Sequence, residues 1–422
     1  MTQNQAPSHR ASALRLDRQL RIDGWNQQAL EQAAVGVVGD TDAAASLFLL
    51  SAAALGINRL KVIAPYLDAT LTQIAAQLNP ELRLSALEGF YSHPFLGDFF
   101  SDCRIIVDLS SYGLAAKLAL GKAFRENRAV IRGSFITDCD NEGLQIFTYF
   151  KGREWQELEQ VMPPRNLPGP LSHDPVLGII GAGIALEEAK NYLMGRAVSP
   201  DLITYSRKKI PPGSQNRSIL VVGAGALGNF VGLGLAFSGF SNLTFMDPDV
   251  VEPTNLNRQI FFYDAVGRNK APALAERLNQ HYGTRARGLI GYFGADTDVS
   301  PYDIIIDCVD NFETRVVLSE KARDHGKLLI SGGTGAAAGQ VIVYDPARDR
   351  LTPAELLGLS EIIEQRDPGP YDRSRLACIY QPNPAVIMTN QIVAGLMVDA
   401  GCQLLAGVRP PNVFYENGAV VM

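Results

Sequence analysis

No stretch of the 422 residues holds an apolar run of bilayer-spanning length, which sets membrane-spanning classes aside. Cysteine is sparse: Cys103, Cys139, Cys308, Cys378 and Cys402 are scattered, odd in number and never form a C-x-x-C pair. That spacing argues against a disulfide framework and for a reducing compartment. No zinc site is expected, because the five histidines also lack metal spacing. Basic excess is missing too. A net charge of −6 gives no electrostatic footprint for DNA or RNA, so no nucleic-acid partner is expected. The opening MTQNQAPSHRAS lacks the apolar core of a secretory signal and reads as a loose terminus of a cytoplasmic protein. What remains is ordinary globular composition, with length for two or three domains.

The informative stretch runs from Ser218 to Lys270. Ile219 to Val222 is a short apolar run with the look of a buried parallel strand. Gly223, Gly225 and Gly228 follow in G-x-G-x-x-G spacing, and a helix-like segment is expected from Asn229. In such a turn the first glycine allows the bend, the second lets backbone approach a phosphate, and the third lets helix pack on strand. Amides at the helix start then face the anion. Asp247 closes a second strand-like run, Leu243 to Met246, roughly 20 residues on, where a ribose-binding acid belongs.

That fingerprint alone suits a dinucleotide and a dehydrogenase. The residues after Asp247 point elsewhere. Asp249, then Asn255, Asn257, Arg258 and Gln259, then Lys270, place two cations near the phosphate end. Concentrated positive charge there suits a triphosphate better than a dinucleotide. Farther on, DIIIDCVDNFETR puts Asp307 and Asp310 at the end of another buried strand, the edge where open α/β sheets hold ligands. A carboxylate beside phosphates makes sense with a divalent metal between them.

Taken in order, GAGALG, DPDVVEPTNLNRQIFF, VGRNKA, DCVDNFETR and SGGTGAAAGQVIVYDP resemble the ThiF/MoeB/HesA superfamily, which includes the ubiquitin-activating enzymes. The resemblance implies ATP-dependent adenylation of a carboxylate, often the C-terminal glycine of a ubiquitin-fold protein, with ATP and Mg2+ as cofactors. It makes Gly223, Gly225, Gly228, Asp247, Asp249, Asn255, Arg258, Lys270 and Asp310 the nucleotide contacts, Arg258 and Lys270 the catalytic cations, and Asp310 the metal-associated acid. Asp307, one strand turn earlier, reads as structural. Many relatives carry paired cysteines for zinc; this chain departs from that pattern.

The first half repeats the plan in a decayed form. CRIIVDLSSYG parallels YDIIIDCVDNF, AVIRGSF parallels LLISGGTG, and GLQIFTY parallels GQVIVYD. DPVLGIIGAGIALEEAKNYLMG parallels NPAVIMTNQIVAGLMVDAGCQLLAG, each a helix entered through proline. These ordered pairs imply a duplication of roughly 200 residues, the size of a domain. After Val35 to Val38, however, Gly39 is followed by Asp40, Thr41, Asp42 and Ala43. An aspartate in that turn repels a phosphate by about 1–4 kcal/mol, depending on screening. The expected organisation is therefore α/β: two tandem Rossmann-like ThiF-type domains forming an intramolecular pseudo-dimer. Residues 1–210 would be the degenerate domain and residues 211–422 the active ATP-binding one, joined near Pro211. RLDRQLRIDGW resembles the opening of the non-catalytic half of modifier-activating enzymes, and by that likeness Arg15 would reach the phosphates held by the other half.

Cys378 lies in DRSRLACIYQPNPAV, near where sulfur-carrier-activating relatives place their reactive cysteine. Arg373 and Arg375 favour a thiolate that would take the acyl group as a thioester, whereas an isolated cysteine in apolar context is commonly an inert core residue. Both readings stand. Three functions stand as well: activation of a ubiquitin-fold or sulfur-carrier protein, adenylation of a peptide or small carboxylate in natural-product biosynthesis, and NAD-dependent redox chemistry. Association of two chains as a homodimer is left open by the internal duplication.

Overall fold

The computed structural model describes residues 7–153, 156–169, 174–210, 215–365, 384–416 and 419–421. It is a mixed α/β protein with two parallel-dominated sheets. The first sheet comprises β1 (Ala34–Val38), β2 (Arg59–Ala64), β3 (Arg83–Glu88), β4 (Ile105–Asp108), β5 (Ala129–Thr137), β6 (Asn141–Tyr149) and β7 (Ile203–Lys208). Its order is β3-β2-β1-β4-β5-β6-β7, parallel as far as β5 and antiparallel beyond. The second comprises β8 (Ile219–Val222), β9 (Leu243–Met246), β10 (Arg287–Leu289), β11 (Ile304–Asp307), β12 (Leu328–Thr334), β13 (Ala338–Tyr344), β14 (Val413–Glu416) and β15 (Ala419–Val421). Its order, β10-β9-β8-β11-β12-β13-β14-β15, repeats the first with one added strand. The central strands are buried along their whole length, as parallel strands covered on both faces must be.

Helix α1 (Pro7–Leu20) precedes the first sheet, and α2 (Ala44–Leu55) follows β1, buried at every position. Helix α3 (Pro175–Leu193) starts with Pro175 in its first turn, capped by Asp174, whose side chain accepts from Val176 N. In the second half, α4 (Ala226–Phe237) follows β8, α5 (Lys270–Tyr282) leads into β10, and α6 (Phe312–Asp324) follows β11. Helix α7 (Ile387–Leu405) begins beyond Pro384, so the proline entry expected there applies only to α3. Both α3 and α7 are apolar nearly all round, the mark of helices inside a molecule.

Those two helices pack on each other across the halves, at glycines. A Cβ on Gly183 would sit 2.7 Å from Ile392 Cγ1, and one on Gly395 would sit 2.5 Å from Ile180 Cγ1. Backbones therefore approach too closely for any side chain. Gln391 stitches the seam: its Nε2 donates to Ile179 O at 2.9 Å, and its Oε1 accepts from Ser51 Oγ at 2.6 Å.

A buried polar cluster lies beside that seam. Arg207 on β7 donates to Asp399 on α7 and to Glu142, and reaches Asp174 Oδ2 at 2.9 Å. Tyr205 Oη and Gln403 Nε2 also donate to Asp399, at 2.5 and 2.9 Å. With three carboxylates around one guanidinium, Arg207 is held charged, and the fully buried Asp399 is pushed by desolvation up to about 6.

Candidate functional site

β8 ends at Val222, and the chain turns sharply at Gly223, whose φ of +99° is a left-handed conformation. A Cβ there would lie 2.6 Å from Cys308 O, so the turn is pressed against the end of β11. Gly228 packs in the same way: its Cβ would fall 2.1 Å from Gly223 O. Gly225 differs. The nearest atom to its virtual Cβ is Gln259 Nε2 at 3.8 Å, so this face of the turn is open. Helix α4 begins at Ala226, with Gly225 as its cap, rather than at Asn229. Asn229 instead lies fully buried in the first turn and folds back, donating to Ala224 O at 3.0 Å and Gly225 O at 2.8 Å. Its Oδ1 accepts from Phe261 N at 3.0 Å, tying the glycine turn to the segment that follows Arg258.

No side chain caps α4, which leaves its leading amides for an anion. Gln259, buried over the same turn, has an Oε1 without a hydrogen-bond partner among the described residues. The open glycine face and the uncapped amides fit an anionic group, and the orphaned amide oxygen, an acceptor, fits a hydrogen-bond donor on the same ligand. Gly228→Ala should collapse this arrangement. Overpacking of this kind costs roughly 1–3 kcal/mol, and we expect a lower Tm together with loss of ATP binding in calorimetry.

Asp247 sits beneath the turn. Its Oδ2 accepts from Ala224 N at 2.7 Å and its Oδ1 from Asp249 N at 2.8 Å. Burial raises its pKa, countered by Lys270. Each oxygen keeps a lone pair for a further donor such as a ribose hydroxyl. Lys270 opens α5 and contacts Asp249 Oδ2 at 2.8 Å. Asn255 is spent locally, its Oδ1 accepting from Glu252 N at 2.9 Å.

Arg258 is buried, and its Nη1 donates to Thr254 O at 2.9 Å and Asn257 Oδ1 at 2.8 Å, both neutral acceptors. Desolvation, helped by the neighbouring Arg18 charge, pulls the guanidinium down to about 10, with Asp310 and Glu252 opposing. It remains a cation at neutral pH.

The two arginines of the first half, Arg15 and Arg18, lie in different surroundings. Arg15 is buried within its own half, its Nη1 donating to Ala54 O at 2.6 Å, with Glu81 and Glu31 as its nearest carboxylate influences. Arg18, one helical turn later on the same α1, is the residue whose charge reaches Arg258.

At the end of β11, Asp307 is structural. Its Oδ2 accepts from Ser331 Oγ at 2.6 Å and Arg315 Nη1 at 3.2 Å, and its Oδ1 from Val309 N at 3.1 Å. Arg315, on α6, also holds Val309 O and Gly332 O, each at 2.5 Å. These bonds fix the loop that presents Asp310, which is exposed. Among the described residues no group of three or more His, Cys, Asp or Glu could hold a metal unaided. One exposed carboxylate fits a magnesium ion that arrives on phosphates, since that ion keeps few protein ligands.

In the first half the corresponding turn is filled from within. Val38 pairs with Asp108 as Val222 pairs with Asp307, so Asp40 falls at the place of Ala224 and Ser111 at the place of Asp310. Asp40 is fully buried. Its Oδ1 accepts from Thr41 N at 2.8 Å, and its Oδ2 from Ser111 N at 3.0 Å and from the Ser111 hydroxyl. Asp42 Oδ1 takes Ala44 N at 2.8 Å. Amides that face open space in the second half meet the chain's own carboxylates here.

Cys378, with Arg373 and Arg375, lies outside the described residues. Cys308 is buried, its thiol pushed well up by desolvation, and the thiols of Cys103 and Cys402 are each raised to about 12 by the same cause. The sequence pattern assigns no contact to Arg18, Asn229, Arg315 or Ser331. Only Asn229 left a signal, as the one polar side chain inside the apolar run ALGNFVGLGLAF.

Fold and site together define an α/β protein with a glycine-turned anion cradle at the strand ends of its second sheet. Residues 213–418 match the ThiF family. Curated relatives include the adenylyltransferase and sulfurtransferase MOCS3 of Xenopus laevis, 33% identical over 165 residues, which are 35% of this chain and 36% of that protein. MOCS3 of Drosophila grimshawi is 37% identical over 159 residues, 34% of this chain and 35% of the relative. The match thus spans little more than a third of those relatives' length. Among solved structures, E. coli MccB with ATP is 19% identical, covering 49% of this chain and 63% of that one at a TM-score of 0.41. Among the described residues, no helix is long and apolar enough to cross a membrane.

Proposed function

We propose that the chain is an ATP-dependent adenylyltransferase that activates a carboxylate, the C-terminal glycine of a ubiquitin-fold or sulfur-carrier protein being the substrate. Residues 211–422 act as the nucleotide-binding domain and residues 1–210 as its degenerate partner, the two forming a pseudo-dimer within one chain. The observation that carries this reading is Arg258: a buried cation whose hydrogen-bond acceptors among the described residues are all neutral, flanked by Arg18 from the other half and set across from Asp310. A buried positive charge without a bonded anion is costly unless an anion is to be bound there.

A carboxylate resists nucleophiles because it is already negative, and joining it to AMP supplies a leaving group. The approach of carboxylate to α-phosphate brings anions together, so fixed cations lower the barrier. Arg258 and Arg18 would meet the phosphates from one side. The uncapped amides of α4 would meet them from below, and Lys270 would reach the site while holding Asp249 in place. Asp247 would accept from the ribose. Magnesium, associated with Asp310, neutralises phosphate charge when bound. The acyl group then passes to a nucleophile, which is Cys378 or an external amine, thiol or sulfide.

ATP–pyrophosphate exchange tests this. Exchange that appears only when a carrier ending in Gly-Gly is added supports the proposal. Exchange with a short peptide alone would move the substrate class to peptides, and NAD binding without any exchange would overturn the reading.

A further inference from the structure

Arg258 is held by a chain of amides that begins in the other half of the molecule. On α1, Gln19 is fully buried. Its Nε2 donates to Leu55 O at 2.8 Å and to Gln27 Oε1 at 2.7 Å. Its Oε1 then accepts from Asn257 Nδ2 at 3.2 Å, 238 residues away. Asn257 Nδ2 also points to Ala385 O at 3.4 Å, and Asn257 Oδ1 accepts from Arg258 Nη1 at 2.8 Å.

The polarity of this chain is not arbitrary. Leu55 O and Ala385 O are carbonyls and only accept, so both must face amide nitrogens. Trp25 Nε1 only donates, to Gln27 Oε1 at 3.0 Å, and Gln27 Nε2 faces Leu55 O at 3.3 Å, which fixes Gln27 in turn. At the far end Arg258 only donates, so it must face the Asn257 oxygen. Each amide has one orientation that satisfies both neighbours, and reversing one would oppose two donors or two acceptors. Ala385 is clipped in as well, its N–H donating to Arg18 O at 3.3 Å.

We propose that Gln19 and Asn257 are positioning residues that transmit the geometry of the first half to Arg258, orienting the guanidinium for a triphosphate. The proposal rests on the reading of Arg258 as a phosphate contact. Gln19 touches no ligand in this scheme. It sets the Asn257 amide, and the Asn257 oxygen fixes the plane of the Arg258 fork. The first half therefore contributes to affinity through orientation as well as through the charge of Arg18.

The test uses the full chain and two probes, MgATP and adenosine, by calorimetry. Hydrogen bonds to charged groups are strong enough that Gln19→Leu should weaken ATP binding by about tenfold while leaving adenosine affinity unchanged. Gln27→Met, at a half-buried position, should shift ATP in the same direction and carries the test should Gln19→Leu fail to fold. In an Arg258→Ala background, adding Gln19→Leu should produce no further loss of ATP, since the relay then has nothing to orient. Equal loss of ATP and adenosine affinity in Gln19→Leu would mean a merely structural role and overturn the proposal. If Arg258→Ala loses ATP affinity but Gln19→Leu and Gln27→Met bind ATP like wild type, the relay falls alone. If Arg258→Ala binds ATP like wild type, the phosphate reading falls first.

Discussion

Replacing Arg258 with alanine is expected to reduce ATP–pyrophosphate exchange by about 10²–10³-fold, the scale of losing one preorganised donor to a developing negative charge. Three features make this the site's most sensitive position. The group is buried, so its field is poorly screened. Its bonded partners among the described residues, Thr254 O and Asn257 Oδ1, are neutral, so the carboxylates of Asp310 and Glu252 act on it only from a distance. Desolvation and Arg18 lower its pKa only to about 10, so it stays charged through the physiological range. Arg258→Lys should recover little, because an ammonium cannot reproduce the planar fork that Thr254 and Asn257 hold. The measurement is exchange rate at saturating ATP beside Tm. A variant with unchanged Tm and unchanged exchange would refute the assignment. The same assay separates Arg18→Ala, expected to lower exchange, from Arg15→Ala, which should act on stability through the lost bond to Ala54 O.

Arg207→Met carries the largest expected effect on stability. Removing one partner of a buried ion cluster typically costs about 3–5 kcal/mol, and here three carboxylates lose their shared cation at once. Urea denaturation should show a lower midpoint, and loss below about 1 kcal/mol would show the cluster to be dispensable. The pH dependence has a definite sign. Asp399 is raised from its ordinary 3.8 to about 6 by burial, despite Arg207 and the Tyr205 hydrogen bond. The folded state therefore binds the proton more tightly, so this group's contribution is full below about 4 and is lost as pH rises through about 6. Glu142, Asp174, Tyr205, Cys402 and Arg207 all bear on the same spot. Comparing wild type with Asp399→Asn at pH 5 and pH 7.5 isolates the contribution. The wild type should gain stability at the lower pH relative to the variant, and an equal response would remove Asp399 as the cause.

Local pattern carried much of this molecule. The apolar runs became β8, β9 and β11 at Ile219–Val222, Leu243–Met246 and Ile304–Asp307, because buried parallel strands leave an uninterrupted apolar record. The glycine spacing placed the turn, but the helix start was three positions late. Ala226, Leu227 and Gly228 carry no capping signal, since Gly225 caps without a side chain. Arg15 and Arg18 are three positions apart on one helix face, and spacing alone does not say which of them lies nearer Arg258. The amide chain from Gln19 to Asn257 was illegible for a different reason: its partners are 238 residues apart, and glutamine and asparagine have no periodic signature.

Asp40 has a consequence for stoichiometry. The duplicated architecture offers two turns, yet in one of them a carboxylate of the chain already occupies the amides and the Ser111 hydroxyl. Nucleotide titrations should therefore saturate at one equivalent per polypeptide along a simple hyperbola. Two-site enzymes of matched halves can let one ligand inform the other; this molecule has surrendered that conversation, and its first half is, in effect, permanently liganded by itself.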